Sequence, residues 1–320
     1  MLLAACSAPE ASQRASVPAE RVERSSPSFW VNPDSKAQQA LAAAEDSGAA
    51  DEAELIRVIA EQPAGQWIGT EDPQAEARRI TEAAEAAGAP PLLVLYNIPH
   101  RDCGQYSEGG AADADAYRDW IGRVVSGIGD RPAWVVLEPD ALAHTLVPGC
   151  VPDEFHEEQY TLLREAVEQL SGLPGTRVYL DAGNPQWVRE AGAMAEQLGR
   201  AGIEQADGFA LNVSNYQTTA SNIAYGERLS ALVGGQHFVI DTSRNGNGPA
   251  EGLPEEEAWC NPPGRALGTP PTTRTGEELV DAYLWVKRPG ESDGTCRGGP
   301  PAGEWHHTYA LDLVRGAGTG

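Results

Sequence analysis

Six short apolar runs punctuate the chain, at 91–96, 133–137, 177–180, 208–212, 237–240 and 282–286, with longer mixed stretches between them. Short continuous runs bounded by turn residues predict buried strands. The stretches between carry helical signals. Residues 35–60, rich in Ala, Glu and Leu, predict one or two helices. In 72–88, Asp72 suits an N-cap, Pro73 the first helical position and Gly88 the stop. In 114–128, Tyr117, Trp120, Ile121, Val124 and Val125 fall on one side. Helices are also predicted at 154–172, 185–201, 219–233 and 305–315, and 277–280 reads as the tail of a short helix. Strands that are apolar on both faces need helices on both sides, so the alternation predicts a parallel α/β sheet. About seven repeats suit a closed or nearly closed TIM-like barrel, a single domain over 29–320. No G-x-G-x-x-G follows an early strand, which removes support for a dinucleotide fold.

Charge and composition narrow the function. A net charge of −24 repels phosphate backbones and anionic lipid and argues against nucleic acid as a partner. No apolar run reaches the roughly 18 residues of a membrane span. Eight Trp against four Phe is a surplus of flat apolar faces, useful for core, rim or flat ligands. Lysine occurs only at 36 and 287, which makes Lys287 conspicuous.

At the start, Leu3-Ala4-Ala5-Cys6 resembles the lipobox of bacterial lipoproteins, with Cys6 the residue that would be lipidated. Residues 1–6 are too short for a full signal and read as its remnant; the alternative is the tail of an ordinary secretion signal with a chance cysteine. Residues 7–28, rich in Ser, Ala, Pro and Glu, read as a disordered tether. The cysteines at 103, 150, 260 and 296 form no CxxC pair. They allow three pairings, or four free thiols. The expected pairs are Cys103–Cys150 and Cys260–Cys296, each closing its own loop, which requires an oxidising compartment and hence export.

Chemistry concentrates where the apolar runs end. Tyr96, Arg101 and Asp102 follow the first, Glu138 and Asp140 the second, and Asp181 the third. Asn212, Ser214 and Asn215 follow the fourth, Asp241 and Arg244 the fifth, and Lys287, Glu291 and Asp293 the last. One acid after a strand is ordinarily a cap or a turn. Five gathered at one barrel face imply an acidic cleft, since like charges repel unless they are used. No second His stands at ligand spacing at a strand end, so no metal is expected, nor any other cofactor. The G-x-S-x-G of a serine hydrolase is absent. Glycoside hydrolysis needs two carboxylates in different roles, commonly with flat platforms for sugars; Trp67, Trp187 and Trp259 are candidates.

Five blocks carry a resemblance: 96–103 (YNIPHRDC), 136–140 (VLEPD), 179–183 (YLDAG), 241–249 (DTSRNGNGP) and 285–294 (WVKRPGESDG). They resemble, in order, the signature blocks of glycoside hydrolase family 6, the inverting cellulases. The resemblance implies a distorted seven-stranded β/α barrel that hydrolyses β-1,4-glucan with inversion. It implies Asp140 as general acid, Asp102 as the residue that keeps that acid protonated and helps place the water, and Asp293 as the base, acting directly or through waters. Tyr96 matches a tyrosine that crowds the distorted sugar, and Ser107 lies in a loop closing over it. Lys287 and Glu291 match sugar-hydroxyl contacts and Asp181 a further acid of the family's site, while Asn215, at its strand end, is a further candidate substrate contact. Trp67 and Trp259 match platforms on the non-reducing side, and Trp187 one beyond the scissile bond. The cysteine pairs match the family's two disulfides. One departure is Asn184, where the family often has His, which puts a leaving-side contact in doubt.

Processive members roof the cleft with long loops between paired cysteines. The spans of 47 and 36 residues here are short and favour an open cleft and cuts within the chain, by a monomer acting on cellulose or related β-glucan. The alternatives are an exo-acting cellobiohydrolase, or a non-catalytic glycan-binding lipoprotein, which would be expected to lack one of the three carboxylates.

Overall fold

The computed structural model describes residues 29–254 and 257–318. Cys6 and the tether at 7–28 lie outside them. Helices α1 (Lys36–Asp46) and α2 (Ala50–Ala60) lead into β1 (Gln66–Trp67). Then come α3 (Pro73–Ala87), β2 (Leu92–Leu95), α4 (Ala114–Ile128), β3 (Ala133–Leu137), the single turn α5 (Ala141–His144) and α6 (Asp153–Ser171). The chain continues with β4 (Thr176–Asp181), α7 (Ala191–Arg200), β5 (Gly208–Leu211), α8 (Thr219–Leu232), β6 (His237–Asp241), β7 (Val280–Leu284) and α9 (His307–Ala317).

The helices begin where their caps dictate. Asp72 accepts the Ala75 N–H ahead of Pro73, and Gly88 ends α3 in the left-handed region at φ 71°. Asp113 accepts the Ala116 N–H to open α4, which buries Tyr117, Trp120, Ile121 and Val124.

All seven strands are parallel and hydrogen-bonded in sequence order. Alternate residues face opposite ways along a strand. Leu92, Val94, Val136, Tyr179, Ala210, Val239, Ala282 and Leu284 fill the inside of the curl. Leu93, Leu95, Val135, Leu137, Val178, Leu180, Phe209, Leu211, Phe238 and Ile240 pack outward against the helices. Each such side chain removed from water contributes about 1.5–3 kcal/mol, which is why both rows are apolar.

Among the described residues no ladder joins β7 to β1. The seam is bridged instead by the Gly65 N–H donating to the Trp285 carbonyl at 2.8 Å and by the Trp67 indole N–H donating to the Val286 carbonyl at 3.0 Å. A Cβ at position 65 would fall 2.3 Å from the Val286 oxygen, so only glycine permits this approach.

Several sequence expectations need correction. β1 carries no apolar run and was not expected. Residues 185–190 form a turn, so the helix expected from 185 begins at Ala191. The stretch 277–280 is not helical and leads into β7, whose ladder begins at Val280 and ends before Trp285. The final helix starts at His307, with His306 as its cap.

Candidate active site

The alternation that sorts each strand into inner and outer rows carries to the last strand residues and, after β2, one residue past them. Tyr96 follows inward-facing Val94, Asp181 follows Tyr179 and Asp241 follows Val239, so all three turn toward the barrel mouth. There a cleft of about 1140 Å³ is lined by Trp67, Tyr96, Asp102, Ser107, Asp140, Asn184, Trp187, Asn215, Trp259, Lys287, Glu291 and Asp293, among others. Of the strand-end residues singled out from sequence, Glu138, Asp181, Asn212, Asp241 and Arg244 lie buried behind this wall, and Asp181 is the one of them expected to touch substrate. It is 2% exposed, takes the Gly183 N–H at 2.9 Å and stands behind Asp140.

Asp140 caps α5 in the left-handed region at φ 70°. Burial, then the charges of Asp181 and Asp102, push its carboxyl well above the usual range. Burial likewise raises Asp181 to about 7, against the Gly183 and Asp140 amides, which favour its charge. At neutral pH this neighbourhood therefore retains a proton, as a group that protonates a leaving oxygen requires. Asp102 sits at the start of the loop after β2, in the left-handed region at φ 63°. Its carboxylate accepts the Ser107 N–H at 2.5 Å. Burial raises it, while that amide and Arg101 pull it back. Arg101 spans the same loop, donating to the carbonyls of Tyr96 and Ser107.

Two further acids brace the mouth. Glu138, fully buried, accepts the Asn97 and Ile98 amides at 2.9–3.0 Å and so ties β3 to the turn after β2. Burial carries it to about 7. Asp241 accepts the amides of Ser243, Ser214 and Lys287 and clasps the loops after β5 and β7. Carboxyls with folded pKa values above their unfolded value of about 4 contribute stability fully below that value and lose it as pH rises through the folded one. Glu138 and Asp181 place that window between about pH 4 and pH 7. The melting temperature by calorimetry is therefore expected to be higher at pH 5 than at pH 8; an equal or higher value at pH 8 would refute the assignment of buried, protonated acids.

Asp293 is the opposite case. Arg244 (0% side-chain exposure) and Lys287 bind it at 2.7 and 3.0 Å. The Asn261 amide and the Tyr216 hydroxyl donate at 3.0 and 3.1 Å. The two cations hold its carboxyl well below the usual range although burial opposes them. A carboxylate so supplied with donors takes up a proton poorly and acts best as a fixed negative charge. Lys287 is thus foremost the counterion of Asp293, and its Nζ also donates to the Ser292 carbonyl. Glu291 pairs with Arg288 at 3.0 Å.

The aromatic walls are in place. Trp67 meets Tyr96 edge-on at 5.7 Å, Trp187 meets His144 at 5.1 Å and Trp259 lies 6.0 Å from Tyr106. Asn184, 3% exposed, accepts the Gln186 and Trp187 amides at 3.1 Å and shapes the turn that presents the Trp187 ring. Asn215 accepts the Tyr216 amide at 2.8 Å. Disulfides Cys103–Cys150 and Cys260–Cys296 pin the two rims. On loop entropy each contributes about 4 kcal/mol. Among the described residues Cys103, Cys150 and His144 bring ligand atoms within 4.8 Å of one another, but the sulfurs are spent on the disulfide.

Arg244 was visible at a strand end with no role attached. Tyr216, Asn261, Tyr106 and His144 were not anticipated. Adjacency to Asn215 and Cys260 is the sole signal the first two carry.

The family model for Glycosyl hydrolases family 6 matches residues 24–317. Endoglucanase A of Cellulomonas fimi is 43% identical over 293 residues, covering 90% of this chain and 61% of its own length. Endoglucanase 1 of Streptomyces halstedii is 42% identical over 299 residues, covering 90% and 88%. The solved structure of the endoglucanase Cel6 from Mycobacterium tuberculosis, in complex with methyl-cellobiosyl-4-deoxy-4-thio-β-D-cellobioside, is 47% identical with a TM-score of 0.85, over 92% of this chain and 99% of that one.

Proposed function

The chain belongs to glycosyl hydrolases family 6, and from that premise we propose that it hydrolyses β-1,4-glucosidic bonds within glucan chains, with inversion at the anomeric carbon. One observation carries the reading: a cleft walled by tryptophans holds both Asp140, buried beside the acids Asp181 and Asp102 that push its carboxyl well above the usual range, and Asp293, which Arg244 and Lys287 bind at 2.7 and 3.0 Å and hold well below it. Asp140 donates its proton to the leaving oxygen as the glycosidic bond breaks. A water adds from the other face, polarised by Asp293, with its proton passing on through solvent, and Asp102 helps place it. Asp181 acts from behind, by keeping Asp140 protonated. Tyr96 and Ser107 crowd the sugar at the cleavage point, Trp67 and Trp259 hold it on the non-reducing side, and Trp187 holds the leaving side. Asn215, Lys287 and Glu291 face the sugar hydroxyls.

Endo action is supported by the short spans between paired cysteines and by the two relatives at 42–43% identity. The disulfides support export, and Leu3-Ala4-Ala5-Cys6 supports a lipid anchor. The test is NMR of the first product anomer, run alongside viscosity and reducing ends on carboxymethylcellulose. The α-anomer should appear first and viscosity should collapse early. A β-anomer appearing first would overturn inversion, and viscosity lagging behind reducing ends would overturn endo action.

A further inference from the structure

The 101–110 loop contributes to the lining of the cleft, and much of its bonding is internal. Asp102 accepts Ser107, Arg101 Nε donates to Ser107 at 2.8 Å, and Arg101 bridges Gly109. The Cys103–Cys150 disulfide ties it to the rim after α5. Its reach to the other rim is Tyr106. This ring is 47% exposed yet seated: it tilts against Trp259 at 6.0 Å and fills the space that Gly294 leaves open. A Cβ on Gly294 would lie 2.4 Å from the ring, and its φ of +155° suits glycine best. Gly294 follows Asp293, Trp259 precedes Cys260, and the Cys260–Cys296 disulfide joins these two segments.

We propose that Tyr106 is a positioning residue that latches the cleft: its ring, seated on Gly294 and Trp259, holds the 101–110 loop at the cleft and keeps Asp102 and Ser107 in place beside Asp140. The inference rests on reading the cleft as a glucan hydrolase. A chain entering sideways must lift this ring, and an exposed aromatic held by packing can be lifted and reseated.

The expected results separate a latch from a sugar platform. Asp140 is faced by Asp102, Asp181 and Tyr96, and Asp102 by Arg101 and Glu108. When the loop drifts, Asp102 repels Asp140 less, so the acid's pKa falls. In Tyr106→Ala, kcat should drop roughly ten- to hundredfold, as misplacement of a positioned group does. KM should change less, and the alkaline limb of kcat should move to lower pH. Amides of 101–110 should exchange faster in the substrate-free protein, while those of the strands keep their rates. Tyr106→Phe should restore all of these. A rise in KM with kcat, the pH limb and exchange unchanged would overturn the latch and leave a platform. Wild-type enzyme inactive on β-1,4-glucan would sink the proposed function, whereas faster exchange in Tyr106→Ala would still support the latch.

Discussion

Asp140→Asn is expected to leave less than about a thousandth of wild-type turnover on carboxymethylcellulose, within the range general acid catalysis supplies. The amide is isosteric but has no proton to give. Asp140 is a site where the test is clean for structural reasons. Its backbone occupies the left-handed region, which Asn tolerates as readily as Asp. Burial and the charges of Asp181 and Asp102 push its carboxyl well above the usual range, so an uncharged amide suits the same surroundings. The melting temperature and near-UV circular dichroism should therefore match the wild type. Substantial turnover in a preparation free of contaminating cellulase would remove Asp140 from the acid role. Aryl glycosides with good leaving groups need less protonation and should lose less activity than cellulose; an equal loss on both would point to damage other than the missing proton.

Arg244→Met is expected to cost about 3 kcal/mol of stability, the lower end of the cost of breaking a buried ion pair. Arg244 has no exposed side-chain surface, gives one guanidinium nitrogen to Asp293 and another to the Ser214 carbonyl, and stacks over Tyr216 at 4.5 Å. Methionine fills much of the same space but leaves Asp293 with one cation instead of two. Lys287→Met should cost less, because Lys287 is 12% exposed and can be replaced in part by water. The sign of the pH dependence follows from Asp293. Its folded pKa lies below the unfolded value of about 4, so the pair stabilises above that value, and its contribution fades as pH falls through the folded one. The deficit of Arg244→Met by urea denaturation should thus be full at pH 7 and shrink toward pH 3. A deficit independent of pH, or a larger one in Lys287→Met, would mean that packing and not the ion pair sets the cost.

The parts of this molecule that could be read from sequence are those written in contiguous residues. The strands from β2 to β6 announce themselves because both of their faces are buried and their runs are unbroken. β1 does not, because two residues cannot make a pattern. The apolar run predicts β7 two residues late because it continues through Trp285 and Val286, whose carbonyls bond Gly65 and Trp67 across the seam instead of a ladder. The stretch 185–190 has a helix-like composition, but Asn184 folds it into a turn that faces Trp187 to the cleft. In the site, Asp102, Asp140 and Asp293 were legible through their motifs. The contrast between them was not. Asp140 and Asp293 are the same residue type shifted in opposite directions: Asp140 is buried beside Asp181 and Asp102, whereas Asp293 is bound by Lys287 and by Arg244, which lies 49 residues away and reaches it only when the mouth of the curl assembles.

Trp67 holds two posts at once. Its indole nitrogen helps bridge the seam between the first and last strands, and its ring lines the cleft as the platform proposed for sugar. Such a residue is poorly placed for adaptation. Phenylalanine would keep a flat surface and surrender the bond, while histidine would keep a donor and surrender most of the surface. Affinity at this end of the groove therefore has to be retuned from neighbouring positions, and variation among natural or engineered descendants should collect around Trp67 while passing it by.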